Sequence, residues 1–164
     1  RAGFPEARFS IWNRSPERAQ ALAKTRPDAR AVTDLKAAIG SADIICTSTM
    51  STSPVLQGSW LQEGQHVDLI GAYRPDMREA DDQALQRARV FVDSFDTTLD
   101  HIGELKIPLS SGALRRADVQ ADYYSERGFQ RGSERDITLF KNGGGAHLDL
   151  MTARYILQQW SSAA

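Results

Sequence analysis

The chain has 164 residues, with 20 Lys and Arg against 21 Asp and Glu, a formal net charge of -1 and 41% hydrophobic residues, as in an ordinary globular domain. This balanced charge excludes the basic surface of a nucleic-acid-binding protein, and no apolar run approaches the ~20 residues that cross a bilayer. We expect neither a nucleic-acid partner nor a membrane span. The single cysteine, Cys46, excludes an internal disulfide, and its apolar surroundings predict an inert core thiol in a reducing, cytoplasmic protein.

Strands and helices alternate along the first two thirds of the chain. In chain order the patterns predict a strand at 8–13, a helix from 16 that stops before 27, a strand at 29–32, a helix ending at 39, strands at 43–47 and 65–72, a helix at 81–88, a strand at 89–93 and a helix at 97–105. Ser15 is placed to cap the first helix, and Thr33 or Asp34 the second. The run 65–72 is apolar almost throughout, as in strands buried on both faces. The alternation predicts an α/β fold with a Rossmann-like, doubly wound parallel sheet in three layers, α/β/α.

The last third of the chain is less regular. Residues 106–135 mix proline, glycine and charges, which indicates surface helix and loop. A last short strand is predicted at 137–140, followed by a glycine-rich turn at 142–145 and a closing helix. The buried side of that helix carries Leu148, Met151, Tyr155 and Ile156. We expect this helix and the sheet to pack on something outside the chain.

The loop after the first strand is a candidate binding segment, because ligands of doubly wound sheets lie beyond the carboxyl ends of the strands. Asn13, Arg14 and Ser15 occupy this loop, where a dinucleotide fold recognises the adenosine ribose. They offer donors and positive charge instead of an acidic side chain, which favours a 2′-phosphate and therefore NADP. Alternatively, Ser15 only caps its helix and Arg14 is a solvated charge.

Two further loops are polar. The hydroxyl-rich stretch 47–54 could bind ribose or nicotinamide groups, although loops are often simply polar. The stretch 71–79 begins with Gly71, which lets a ligand approach the backbone, and then presents the phenol of Tyr73, two guanidinium groups and two carboxylates. Those charges could equally form a surface ion-pair cluster.

The stretch 141–145, Lys-Asn-Gly-Gly-Gly, precedes a helix, where free N–H groups and glycine could favour an anion or a close backbone approach, but a lone glycine run is weak evidence. No HExxH, CxxC or GxSxG pattern occurs, and the three histidines lack ligand spacing. We therefore expect no metal site and no serine-hydrolase chemistry.

Five segments follow one another in a distinctive order: 11–15, 58–61, 71–79, 92–93 and 138–142. The most specific are Gly-Ala-x-Arg-Pro-Asp-x-Arg-Glu at 71–79 and Thr-Leu-Phe-Lys at 138–141. In this order the chain resembles the ornithine cyclodeaminase/mu-crystallin family over nearly its whole length. The resemblance implies that residues 1–143 are the C-terminal part of a Rossmann NAD(P)-binding domain. It also implies that residues 144–164 are a closing helix leading toward a dimerisation domain, through which the protein is a homodimer.

The resemblance further implies that the phosphate loop, the first Rossmann strand and the substrate-binding lysine and arginine precede Arg1, so that the sheet is incomplete at its N-terminus. Carried over by position, it implies a cofactor, NADP (as NADPH) with NAD as a possibility, held by Asn13, Arg14, Ser15, Thr47, Ser48, Thr49, Ile70, Gly71 and Asn142.

The residue at position 73 separates two activities within the family. Ornithine cyclodeaminases carry an aspartate there as acid or base, whereas Tyr73 offers a much less acidic phenol, so cyclodeamination is not expected. The Arg-Pro-Asp form of the segment is similar to mu-crystallin and bacterial ketimine reductases. This likeness implies NAD(P)H-dependent reduction of cyclic ketimines, pyrroline-2-carboxylate and piperideine-2-carboxylate, to cyclic amino acids, with Tyr73 positioning or protonating the substrate nitrogen.

Other activities of the family stay open. One alternative is an NAD-dependent ornithine cyclodeaminase or an alanine dehydrogenase-like amino-acid dehydrogenase, and a third is a non-catalytic binding protein like mu-crystallin.

Overall fold

A computed structural model of the protein describes residues 4–126 and 128–163, which form two units that divide between Ala42 and Asp43. The first unit is a βαβα segment. Its elements are β1 (Phe9–Ile11), α1 (Pro16–Ala23), β2 (Ala29–Ala31) and α2 (Leu35–Gly40). Strands β1 and β2 pair in parallel. Asp34 is the residue that caps α2, because its carboxylate accepts the N–H of Ala37 at 2.9 Å.

The second unit is built on a five-stranded, entirely parallel sheet. Its elements are β3 (Ile44–Thr47), β4 (His66–Leu69), α3 (Asp82–Arg87), β5 (Ala88–Val92), α4 (Phe95–Thr98), α5 (Gly103–Ser111), β6 (Val119–Ala121), β7 (Ile137–Lys141) and α6 (Ala146–Ala163). The strand order is β3-β4-β7-β5-β6. The sheet of parallel strands with intervening helices confirms the predicted Rossmann-like α/β fold.

One face of this sheet forms the core. Val67 of β4 and Val90 of β5 are both in register with Leu139 of the central strand β7, and all three side chains are completely buried. Each such burial contributes about 1.5–3 kcal/mol to folding. The opposite face is more polar, because His66 and Asp68 of β4 lie on it and are only half-buried. The strand predicted at 65–72 is confirmed as β4, but the prediction that it is buried on both faces is wrong.

Two predictions of secondary structure in the second unit need correction. The helix expected at 97–105 is two helices, α4 and α5, separated by Ile102 in an extended conformation with φ -106° and ψ 126°. Residues 106–135, expected to be surface helix and loop, also contain the short strand β6. α5 ends at Gly112, whose left-handed φ of 80° favours glycine.

The predicted buried side of α6 is exposed. Met151, Tyr155 and Ile156 are each at least 60% exposed, Leu148 is half-buried, and Trp160 is 77% exposed. The residues that the structure describes do not cover these apolar side chains. None of the helices within residues 4–126 and 128–163 is long and apolar enough to span a membrane. Cys46, expected to be a core thiol, is exposed as well.

Candidate functional site

Strands β3, β4 and β7 end side by side at one edge of the second unit. The N–H of Ile70 donates to the carbonyl oxygen of Thr47 at 2.9 Å, and the N–H of Asn142 donates to that of Leu69 at 3.1 Å. Three predicted binding residues, Thr47, Ile70 and Asn142, therefore follow one another across the carboxyl ends of adjacent parallel strands. In folds of this type, ligands bind at that edge.

The loops after β3 and β4 touch through their backbones at Gly71. A Cβ placed on Gly71 would lie 2.1 Å from the carbonyl oxygen of Thr49 and 2.2 Å from its nitrogen. Only glycine fits this approach, since real Cβ atoms do not come so close to a backbone. The sequence predicted that Gly71 lets a ligand approach the backbone, but in the structure the space beside its Cα is filled by the backbone of Thr49.

The side chains at this edge combine apolar and polar surface. Ile70 is 42% exposed and Tyr73 is 58% exposed, and the Tyr73 hydroxyl makes no hydrogen bond to any other residue that the structure describes. Ser48 is exposed, whereas the Thr47, Thr49 and Asn142 side chains are half-buried, and the Asn142 amide oxygen accepts the N–H of Gly144 at 2.8 Å. An exposed aliphatic side chain beside hydroxyl and amide groups fits a flat, amide-bearing ring such as nicotinamide.

The charged stretch 74–79 divides between surface and interior. Arg74 and Asp76 form an exposed ion pair at 3.1 Å, as expected of a surface cluster. Arg78, by contrast, is buried beside Asp82, and Glu79 is completely buried. The N–H of Gly103 at the start of α5 donates to the carbonyl oxygen of Arg74 at 2.9 Å, which ties this stretch to the next helix.

A fully buried lysine lies beneath the strand ends. Lys141 Nζ donates to the carbonyl oxygens of Leu69, at 3.0 Å, and of Asn142, at 2.6 Å, so it ties the end of β4 to the end of β7. Burial lowers the pKa of Lys141, and the nearby carboxylates, that of Glu104 first, act in the opposite direction. Burial likewise raises the pKa of Glu104, against the effect of its two backbone donors.

Sequence reasoning placed Lys141 and Glu79 in candidate loops without giving either residue a role, and it did not single out Glu104. Charged side chains are mostly exposed, and no local pattern marks the few that are buried. A signal was present only for Lys141 and Glu79, since both lie in the segments that carry the family resemblance.

The loop formed by Asn13, Arg14 and Ser15 belongs to the first unit. The Asn13 side-chain oxygen accepts the N–H of Ser15 at 2.9 Å, which closes a tight turn before α1. Ser15 occupies the N-cap position, as predicted, with φ -101° and ψ 104°, but its hydroxyl makes no capping hydrogen bond. Arg14 is exposed. A cap role therefore does not account for the Ser15 hydroxyl.

Comparison with known proteins identifies one family. The model of the ornithine cyclodeaminase/mu-crystallin family matches residues 1–164. The chain is 52% identical, over 91% of its length and 49% of the relative's, to the Delta(1)-pyrroline-2-carboxylate reductase of Paracoccus denitrificans. It is 37% identical, over 97% of its length and 49% of the relative's, to the ketimine reductase mu-crystallin of Mus musculus.

A solved structure of another Delta(1)-pyrroline-2-carboxylate reductase also resembles this chain. The Delta(1)-pyrroline-2-carboxylate reductase of Thermococcus litoralis, in complex with NADH and L-proline, matches with a TM-score of 0.82 and 27% identity over 90% of this chain and 48% of that one. The chain spans about half the length of the curated relatives that it matches.

Proposed function

Because this chain belongs to the ornithine cyclodeaminase/mu-crystallin family, we propose that the complete protein is an NAD(P)H-dependent reductase of cyclic ketimines. Its substrates are pyrroline-2-carboxylate and piperideine-2-carboxylate, and its products are the cyclic amino acids. The observation that carries the proposal is the shared edge at which Thr47, Ile70 and Asn142 end adjacent strands beside the exposed Tyr73. The 52% identity to a relative named as a pyrroline-2-carboxylate reductase supports the substrate class.

The edge residues have distinct roles in this proposal. Ile70 would offer an apolar surface to the nicotinamide, and the Thr47 and Thr49 hydroxyls and the Asn142 amide would hold the ribose and the carboxamide. Ser48 and the Gly71 backbone complete the surface. The chemistry that bound NAD(P)H supplies is a hydride delivered to the imine carbon. One reduced nucleotide and one proton are consumed for each imine reduced to an amine.

Tyr73 acts on the substrate nitrogen. Its hydroxyl is exposed at the edge and has no hydrogen-bond partner among the described residues, so it is available to a substrate. A phenol can donate a hydrogen bond to an imine nitrogen, orient it and assist its protonation. Reduction of a cyclic imine gives a secondary amine, so the nitrogen stays in the product. A residue that donates a hydrogen bond to this nitrogen, such as Tyr73, suits the reaction.

We propose a preference for NADP through the first unit. Arg14 is exposed next to a Ser15 hydroxyl that makes no cap bond, and both groups suit a 2′-phosphate. NAD is the alternative, favoured by the NADH in the Thermococcus litoralis structure. Replacing Arg14 with Ala should raise the KM for NADPH about tenfold, the loss of one charge-assisted contact, and leave the KM for NADH unchanged. Equal effects on both nucleotides would contradict a 2′-phosphate contact.

The next proposal concerns α6 and the quaternary structure. We propose a homodimer in which the exposed apolar side chains of residues 144–164 are covered by a dimerisation domain, residues 1–143 being part of the NAD(P)-binding domain. The exposed Trp160 supports this assignment. The exposed thiol of Cys46 suits a reducing, cytoplasmic location.

The test is oxidation of NADPH and NADH by the complete protein with pyrroline-2-carboxylate, piperideine-2-carboxylate and, separately, pyruvate plus methylamine. Rapid turnover of a cyclic imine is the expected result. Absence of turnover with all three, together with ammonia release from ornithine and NAD, would replace the reductase with a lyase.

A further inference from the structure

Glu79 connects the two loops at the candidate site from below. One of its carboxylate oxygens accepts the N–H of Thr49 at 2.5 Å. The other accepts the N–H of Gly71 at 2.8 Å and the hydroxyl of Thr47 at 2.8 Å. A single buried carboxylate thus holds one loop after β3 and one loop after β4 at the same time.

Glu79 is itself held in place by its own backbone. Its N–H donates to the carboxylate of Glu104 at 2.7 Å, and its carbonyl oxygen accepts the N–H groups of Val55 and Leu56 at 2.8 and 2.9 Å. Glu104 is also completely buried, and it accepts the N–H of Ala80 at 2.9 Å. The carboxylate of Glu79 therefore projects from a fixed point, so the loops that it binds are fixed relative to the same point.

The side chain of Glu79 has no exposed surface with which to touch a ligand. Its partners Thr47, Thr49 and Gly71, in contrast, are residues to which the proposed function gives cofactor contacts. We infer that Glu79 is a positioning residue, whose carboxylate sets the spacing between the loops after β3 and β4 that the nicotinamide half of the cofactor requires. This inference rests on the proposed function.

An anion is needed for this arrangement because all three partners donate. In Glu79→Gln the side chain keeps its size, but one oxygen becomes an amide NH2 group, which is a donor. If the NH2 group faces Thr49, two donors oppose each other, and if it faces Gly71, the same conflict arises there. No orientation of the amide satisfies both loops.

Asp122 provides a matched control at the far side of the sheet. Its buried carboxylate also accepts two backbone N–H groups, of Phe95 and Tyr124 at 3.1 Å each, and one hydroxyl, that of Ser125 at 2.7 Å. It follows β6, the edge strand opposite β3, and has no part in the proposed site. Asp122→Asn therefore also replaces a carboxylate with an amide that faces two backbone N–H groups and one hydroxyl. It does so outside the loops after β3 and β4.

The experiment measures nucleotide affinity in the complete protein by fluorescence titration, with melting temperature recorded alongside. The probes are NADPH or NADH, whichever binds more tightly, and the matching adenine half, 2′-phospho-ADP or ADP, which lacks both the nicotinamide and its ribose. Glu79→Gln should raise the Kd for the dinucleotide at least about tenfold, since a loop displaced by about 1 Å loses that much or more. It should leave the Kd for the adenine half within about twofold, a change too small to mark a lost contact. Asp122→Asn should change neither Kd, whatever its effect on the melting temperature.

Several results would overturn the inference. A wild-type Kd for the dinucleotide in Glu79→Gln, or an equal loss of affinity for both probes, would mean that Glu79 has a general structural role. If Glu79→Gln does not fold, Glu79→Asp takes its place: it keeps the charge but is one methylene too short to reach Thr49 and Gly71 together, and the same criteria apply. If the wild-type protein binds no dinucleotide at all, the proposed function fails, and this inference fails with it.

Discussion

Replacement of Gly71 by Ala tests the contact between the loops after β3 and β4. The new Cβ would lie 2.1 and 2.2 Å from backbone atoms of Thr49, where ordinary contacts begin at 3.4 Å, and 2.6 Å from a carboxylate oxygen of Glu79. Backbone cannot swing aside as a side-chain end can, so one loop must move by about 1 Å, which costs about 1–3 kcal/mol as overpacking. The movement also weakens the charge-assisted bond from Gly71 to Glu79, which contributes a further ~1.5–3 kcal/mol when lost completely.

We therefore expect Gly71→Ala to lower the free energy of unfolding by about 3 kcal/mol. Urea unfolding of the complete protein, followed by tryptophan fluorescence, measures this change. A titration with NADPH should in addition show a higher Kd for the folded variant than for the wild-type protein, because the displaced loops are those at the candidate site.

Two glycines of the same unit serve as controls. A Cβ on Gly58 would lie 2.2 Å from the backbone nitrogen of Ala84, whereas one on Gly132 would meet only the ends of side chains, the nearest being Asp136 at 3.0 Å. Gly58→Ala should lose stability without a change in Kd, and Gly132→Ala should change neither by much. If Gly71→Ala were as stable as Gly132→Ala, the close approach of Gly71 to Thr49 would be refuted.

Two further predictions concern single side chains. Tyr73→Phe should lower kcat for a cyclic imine by about tenfold or more while the Kd for the nucleotide stays the same, and an unchanged kcat in steady-state assays would exclude a role at the substrate nitrogen. Burial lowers the pKa of His66 in the folded protein, so the folded state binds its proton less readily than the unfolded state. Stability should therefore fall as the pH drops below about 6.5, and His66→Gln should reduce that fall in urea titrations at pH 7.5 and 5. An identical pH dependence in the variant would assign the effect to other groups, such as the neighbouring Asp68.

Much of the fold was predictable because its signals are local. The strand at 43–47 and the helix that starts at Pro16 depend on short runs of β-branched residues or on a cap followed by proline, and both are found within a residue or two of their predicted positions. The places of Thr47, Ile70 and Asn142 at the carboxyl ends of three adjacent strands agree with the family resemblance that selected them, while their role in cofactor binding stays a prediction.

The remaining features depend on contacts between distant residues. The three-residue strand β6 lies within a charged stretch and is a strand only because β5 offers it a partner. Glu79 and Lys141 have charged side chains, which usually lie on the surface. They are buried because loops far apart in sequence come together around them. The apolar pattern of α6 predicted a buried side, but that side is exposed in the structure. Such a pattern identifies an apolar surface and does not show what packs against it.

The place of β7 affects how this chain can fold during synthesis. Residues 137–141 are the last strand in the sequence, yet they lie between β4 and β5, which have no hydrogen bonds to each other. Until those residues leave the ribosome, β4 and β5 each present an unpaired edge, and nascent chains with unpaired strand edges are prone to misassembly. Loss of β7 would therefore remove the centre of the sheet, so this unit cannot complete its sheet until residue 141 has been synthesised.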